Sequence, residues 1–127
     1  MYAQLQAYKR VETMAIPDGR ELEASILTKA AHLLTQCKNN WEDKDIQTKL
    51  DEALCFNQKI WTIFQSDLAD PANPLPQKLR EDILNLSLFI DKRIMDIRID
   101  PIPEKLNIIV SINLNLAAGL RGIPKNN

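Results

Sequence analysis

Residues 76–101 read PQKLREDILNLSLFIDKRIMDIRIDP, and this stretch decides the fold class of the chain. Its apolar residues recur every three or four positions, which is the spacing of one face of an α-helix. Pro76 suits the first turn of such a helix, where the backbone amide is unpaired, and Asp100-Pro101 ends it. The predicted core stripe is Leu79, Ile83, Leu86, Ile90, Ile94 and Ile97. Because Leu84, Leu88 and Phe89 widen this stripe, we expect the helix at the centre of a bundle or beneath a partner.

Two further helices are predicted before this stretch. The first spans residues 18–38, since Asp18 can cap it and Glu21 can reach back to the cap. Its predicted core face is Leu22, Ile26, Ala30, Leu33, Leu34 and Cys37. The second spans residues 42–68, and Asn57 interrupts its apolar face. The other members of that face are Ile46, Leu50, Ala53, Leu54, Ile60, Trp61, Phe64 and Leu68.

The last segment fits two patterns. The residues that alternate as in a β-strand are Ile108, Val110, Ile112, Leu114 and Leu116. Those that share one face of a helix are Leu106, Ile109, Val110, Asn113, Leu116, Ala117 and Leu120. A single strand would have no sheet to join in a helical chain, so the sequence favours a helix that starts near Pro103.

The organisation predicted for residues 1–127 is a single all-α domain, a small bundle of about four long helices plus a short N-terminal helix. Residues 1–17 are expected to be a mobile segment, or to form that short helix on the bundle through Leu5, Tyr8 and Val11. Glycine and proline cluster at only four places, too few for the frequent turns of a β-sandwich.

Composition excludes several classes of function. The 127 residues carry 16 Lys and Arg against 17 Asp and Glu, a net charge of −1 that argues against a nucleic-acid-binding protein. The sequence has no membrane span and no signal-peptide pattern, which predicts a cytoplasmic protein with no membrane partner. Cys37 and Cys55 are expected to be small buried hydrophobes, and His32, the sole histidine, to lie at the boundary of the core. No metal-ligand cluster, phosphate loop or catalytic constellation is present, so we predict a protein without enzyme activity or cofactor.

A helix-loop-helix signature follows the second predicted helix. It is formed by Trp61, Phe64, Asp67, Leu68, Pro71, Asn73, Leu75, Pro76, Leu79 and Arg80. This pattern resembles the flagellar biosynthesis regulator FlaF family of alpha-class proteobacteria. Residues 83–90 are similar to the family's next helix, with Ser87 in place of its usual glycine and Phe89 in place of its tryptophan. Ile112-Asn113 and residues 119–121 resemble the family's C-terminal ending.

The resemblance implies a small helical protein that is required for flagellin production and export. Proteins of this family work in the cytoplasm beside the regulator FlbT, which restrains flagellin translation, and behave like flagellin-specific secretion chaperones. By the resemblance, flagellin is the expected partner, with an FlbT-type regulator as a second one.

A chaperone for the terminal helices of flagellin needs an apolar groove that accepts a helix. The candidate groove residues are Leu84, Leu88, Phe89, Ile108, Ile112 and Leu116. Each of them can also be explained as part of the bundle core. We expect the signature residues to be structural: Trp61 and Phe64 in the core, Asp67 and Asn73 on backbone groups, and Arg80 beside Asp67 or Asp70.

Two other functions remain open at this stage. The alternative is a post-transcriptional regulator of flagellin mRNA that acts with or against an FlbT-type partner. The basic residues of this chain, however, are scattered among acidic ones, as at Lys92-Arg93 beside Asp91, and this weakens the case for direct RNA binding. A generic helical adaptor with a coincidental signature is the third reading.

Overall fold

The computed structural model describes residues 19–122 and is helical nearly throughout, so the all-α prediction is confirmed. Its helices in chain order are α1 (Gly19–Asn39), α2 (Ile46–Ala69), α3 (Gln77–Ile99) and α4 (Asn107–Gly122). A 3₁₀ turn at Pro103–Leu106 leads directly into α4. The predicted cap at Asp18, the N-terminal segment 1–17 and its short helix lie outside the described residues.

The helices pack around one apolar core. Helix α1 packs most extensively against α4 and also against α2, whereas α3 packs against α2 and the 3₁₀ turn. The largest fully buried side chain is that of Trp61 in α2. Every helix contributes fully buried residues to the core, for example Leu27, Leu54, Ile94 and Ile109. The predicted core face of α1 is confirmed except that Leu33 is only partly buried, and Ala24, Leu27 and Ala31 widen it.

The start predicted for α2 was wrong by four residues. Residues 41–45 form turns, and the helix begins at Ile46. Asn, Asp and Glu dominate residues 39–45, and short polar side chains favour turns over helix. Lys49 holds this turn to the first turn of α2 with ion pairs to Asp43 (3.2 Å) and Asp45 (3.4 Å).

The stripe predicted for α3 was wrong at one position. Ile83, Ile90, Ile94 and Ile97 are buried as predicted, but Leu86 is exposed and Ser87 takes the buried position in that turn. The Ser87 hydroxyl donates a hydrogen bond to the backbone carbonyl of Leu84 at 2.6 Å, which satisfies the buried polar group.

The last segment is a helix, as favoured from the sequence, and not a strand. Ile109, Asn113, Ala117 and Leu120 are its buried residues, and they follow a spacing of four, four and three. The alternation that suggested a strand instead places Ile108 and Leu114 on exposed surfaces of α4.

Candidate functional site

The signature loop, residues 70–76, joins α2 to α3 and is fixed by its own short polar side chains. Asn73 donates from Nδ2 to the carbonyl of Asp67 (3.1 Å) and accepts from the amide of Leu75 at Oδ1 (3.0 Å). Asp70 Oδ1 accepts from the amide of Ala72 at 2.9 Å. Pro76 occupies the N-cap position of α3. These residues therefore hold the α2–α3 turn in one geometry.

Arg80 reaches back over this loop from the first turn of α3. Its Nη1 donates to the backbone carbonyl of Asp70 at 3.2 Å, so the expected contact with Asp70 is made through the main chain. The Arg80 Nε–H is buried with no acceptor among the described residues. Arg80 thus ties the start of α3 to the end of α2, at the cost of one unsatisfied donor.

A cleft of about 250 Å³ opens beside the signature loop. Its apolar lining is Phe64, Leu68, Leu75, Ile83, Leu116 and Leu120, and its other lining residues include Arg20, Glu23, Asp67 and Asp70. The cleft therefore lies where the start of α1, the end of α2, the start of α3 and the end of α4 meet.

One side of α3 is held against α2 by polar contacts. Gln65 donates to Asp91 Oδ2 (3.1 Å), and Arg98 Nη1 lies 2.6 Å from Asp51 Oδ1. Leu84 shares the side of Asp91 and Arg98 on the helix and packs against the core. Leu88 lies further round, on the outer face of α3, where its side chain is 58% exposed. Leu84 and Leu88, predicted to line the groove, therefore lie on the side of α3 that belongs to α2 and solvent.

The opposite side of α3 is largely apolar. Leu86 and Phe89 lie there with 37% and 40% exposure, and the guanidinium of Arg93 stands 5.6 Å from the Phe89 ring centre. From α4, Ile108, Ile112 and Leu116 share one side of that helix, and Leu116 lines the cleft together with Ile83 of α3. We call this surface the α3–α4 edge: Leu86, Phe89 and Arg93 with Ile108, Ile112 and Leu116.

The α3–α4 edge is less closed than its neighbours. Extended packing joins α1 to α4, α1 to α2 and α2 to α3, and no packing of that extent joins α3 to α4 within residues 19–122. Ile112 and Leu116 are partly buried against the core, while Phe89 and Ile108 remain exposed. Of the six predicted groove residues, Phe89 belongs to the α3 side of this edge, and Ile108, Ile112 and Leu116 belong to its α4 side.

Trp61 and Phe64 belong to the core. Their rings meet edge to face at 5.9 Å between centroids, and both side chains are buried. This geometry is one of the favoured arrangements of aromatic pairs. The Trp61 ring is fully buried, whereas the Phe64 side chain also lines the cleft.

A buried hydrogen-bond network joins α4, α2 and α1, and it was not predicted from the sequence. Asn113 of α4 accepts from Trp61 Nε1 (2.9 Å) and donates from Nδ2 to Asn57 Oδ1 (2.6 Å). Asn57 donates to the carbonyls of Ala53 (2.9 Å) and Ala30 (3.2 Å), which brings α1 into the network. The interruption at Asn57 and the asparagine on the core face of α4 were the available signals, because buried amides need partners on facing helices.

The two cysteines differ in environment, and neither forms a disulfide. Cys37 is buried as predicted, and this burial raises the pKa of its thiol. The prediction of a buried hydrophobe was wrong for Cys55, which is half-buried and accepts a hydrogen bond from Arg98 Nη2 at 3.4 Å. His32 is exposed on α1.

Residues 19–122 contain no group of three or more side chains able to hold a metal ion. The helices of the same range include none that is long and apolar enough to cross a membrane. The surfaces described so far are the cleft, the α3–α4 edge and the outer face of α3.

Comparison with known families gives a match over nearly the whole chain. The model of the family described as flagellar protein FlaF matches residues 4–120. No curated protein and no solved structure matches the chain. The match includes the signature loop, the cleft and both walls of the α3–α4 edge. The chain belongs to the FlaF family of flagellar proteins.

Proposed function

We propose that this protein is a cytoplasmic, non-enzymatic chaperone that binds a terminal helical segment of flagellin at the α3–α4 edge and thereby promotes flagellin synthesis and secretion. Membership of the FlaF family implies a role in the biogenesis of the flagellum. The observation that carries the finer proposal is an apolar surface shared by two helices that are not packed closely along their length.

The α3–α4 edge suits an amphipathic helix. Ile108, Ile112 and Leu116 repeat every four residues along α4, and Leu86 and Phe89 repeat after three residues along α3. A helix bound between them would place its own apolar residues, spaced by three and four, against both rows. Burying that face would prevent flagellin subunits from associating before export.

The charges of the described residues support a protein partner over RNA. Lys49, Lys78, Arg98, Lys105 and Arg121 each lie 2.6–3.4 Å from a carboxylate oxygen. Cations paired in this way contribute little to the binding of a phosphate backbone, which depends on the release of counterions. This pairing weighs against the alternative of direct flagellin mRNA binding.

The experiment is a calorimetric titration of the purified chain with monomeric flagellin, beside flagellins truncated at either terminus. We expect one-to-one binding of about micromolar affinity or tighter. That binding should be lost with one of the two truncations, which identifies the helix recognised. If flagellin does not bind at concentrations of roughly tens of micromolar, direct chaperoning is overturned.

A second arm tests the alternative on the same protein. The isolated chain is mixed with flagellin leader RNA, alone and with an FlbT-type partner, at low and high salt. We expect no shift of the RNA by the isolated chain. A shift that weakens with salt, together with no flagellin binding, would establish post-transcriptional control in place of chaperoning.

A further inference from the structure

We propose that the outer face of α3 binds the same face of a second copy of this chain, with the two α3 helices antiparallel. The apolar residues of this face are Leu88, Met95 and Ile99, which we call the outer stripe. The side chains of Met95 and Ile99 are 60% and 79% exposed, and that of Leu88 is exposed to a similar degree. The proposal does not depend on the proposed function, because it concerns another side of α3.

The outer stripe is one continuous surface along the helix. Its three members are seven and four residues apart, so at 3.6 residues per turn they lie within about 40° of one another around α3. The polar contacts of Asp91 and Arg98 with α2 lie between this stripe and the neighbouring helix. Contiguous large apolar side chains left in water are uncommon in monomers and mark sites of association.

The outer stripe matches itself when two copies are related by a two-fold axis. An axis perpendicular to α3 near position 94 places Leu88 of one copy opposite Ile99 of the second copy, and brings the two Met95 side chains together at the centre. Such a contact is isologous, so the pair of Leu88 and Ile99 occurs twice. One arrangement therefore buries the complete stripe of both copies.

The charges beside the stripe fit the same axis and select the antiparallel orientation. Lys92 and Asp96 lie on the flank that points away from α2, two residues to either side of position 94. In the antiparallel pair, Lys92 of each copy therefore comes opposite Asp96 of the other, and opposite charges fix the register of an interface. No ion pair within the described residues involves Lys92. Asp96 contacts Lys105 at 3.2 Å and remains exposed.

The small size of the outer stripe predicts a weak dimer. A stable interface takes roughly 20–30 residues from each partner, whereas this face offers three apolar side chains and their charged flank. We expect a dissociation constant of roughly tens of micromolar. The chain is then mainly monomeric in dilute solution and dimeric only when it is concentrated.

The dimer leaves the α3–α4 edge of each copy uncovered. Leu86 and Phe89 lie about 100° or more around α3 from the middle of the outer stripe. A second copy on the stripe and a helix bound at the edge can therefore be present together.

The first test is sedimentation equilibrium of the full chain at concentrations from roughly 5 to 200 µM. We expect the average molar mass to rise from that of a monomer towards that of a dimer. Met95→Asp places two like charges at the axis and should keep the chain monomeric throughout. The matched control is Leu114→Asp, which puts the same charge on an exposed leucine of α4 and should dimerise as the unsubstituted chain does.

Far-ultraviolet circular dichroism verifies that both variants are folded. Equal loss of dimerisation in Met95→Asp and Leu114→Asp would overturn the proposal. An unsubstituted chain that stays monomeric over the whole series would also overturn it, and would leave the stripe to a partner of another kind. Neither outcome bears on flagellin binding, which is measured separately.

A second measurement tests the antiparallel pairing of charges. Lys92→Glu and Asp96→Lys each bring like charges together in their own dimers, so each should weaken self-association by about threefold to tenfold. An equimolar mixture of the two variants should recover the affinity of the unsubstituted chain, because the exchanged charges are again opposite in the mixed dimer.

The control for this mixture is Lys78→Glu with Asp82→Lys, which carries the same net charges at the far end of α3. These two variants should dimerise as the unsubstituted chain does and gain nothing on mixing. A mixture of the Lys92 and Asp96 variants that associates no better than either alone, or gains no more than the control mixture, would overturn the antiparallel arrangement.

Discussion

Helices α1 and α3 are nearly equal in length, 21 and 23 residues, yet they use their apolar residues differently. Helix α1 packs against both α4 and α2, and none of its described residues is a large exposed hydrophobe. Within residues 19–122, helix α3 packs extensively against one α-helix, α2, and also contacts the 3₁₀ turn. Its exposed apolar residues are Leu86, Leu88, Phe89, Met95 and Ile99. The comparison teaches that α1 buries its apolar residues in the bundle, while α3 leaves several of its own exposed.

The largest difference is expected from one substitution made on each helix. Leu27→Ala on α1 removes a fully buried side chain and should lower the free energy of unfolding by about 2–5 kcal/mol. Leu88→Ala on α3 removes an exposed side chain and should change it by less than about 0.5 kcal/mol. Urea denaturation of both variants measures the difference. Equal losses of stability would contradict the division of roles between α1 and α3.

The buried amides should give the next largest effect. Asn113→Ala leaves Trp61 Nε1–H without its acceptor and Asn57 Oδ1 without its donor, so we expect a loss of about 1–3 kcal/mol. Asn115→Ala, on the exposed face of the same helix, is the matched control and should be near neutral. The measurement is urea denaturation followed by tryptophan fluorescence. A neutral Asn113→Ala would show that the network contributes nothing to stability.

The smallest effect is expected at the signature loop. Arg80→Ala removes the hydrogen bond to the carbonyl of Asp70 and also a buried donor with no acceptor, so the net loss should be about 0.5–1 kcal/mol. Lys78→Ala, which removes an exposed ion pair to Asp82, should cost less. Thermal unfolding of the two variants is compared. An unchanged transition for Arg80→Ala would remove the role of Arg80 in holding α3 to α2.

Most of the fold could be predicted from local signals. Pro76 and Asp100-Pro101 bracket α3, and the regular spacing of apolar residues placed the core faces of α1, α2 and α4. The start of α2 could not be placed, because Glu42 and Lys44 are compatible with helix and only the turn around Trp41 excludes it. The spacing of apolar residues also did not predict that Ser87, and not Leu86, is buried in α3. The Ser87 side chain can be buried because its hydroxyl donates a hydrogen bond to a backbone carbonyl.

The sequence indicated which helices carry the candidate site but not how their residues are arranged. Periodicity identified α3 and α4 as helices with surplus apolar residues. It could not tell which side of α3 faces α2, because that depends on contacts between distant residues such as Gln65 with Asp91 and Arg98 with Asp51. Those contacts separate Leu84 and Leu88 from Phe89, although all three widened the same stripe in the sequence.

The most direct test of the central claim uses adjacent positions on α3. Phe89 lies at the α3–α4 edge and Leu88 on the outer face of the same helix, with 40% and 58% exposure, so both substitutions to alanine should leave the bundle folded. The measurement is the affinity of each variant for monomeric flagellin by calorimetry. We expect Phe89→Ala to weaken binding by about tenfold or more, and Leu88→Ala to leave it within about twofold. Weakened binding by Leu88→Ala with unchanged binding by Phe89→Ala would contradict the account and place the partner on the outer face of α3.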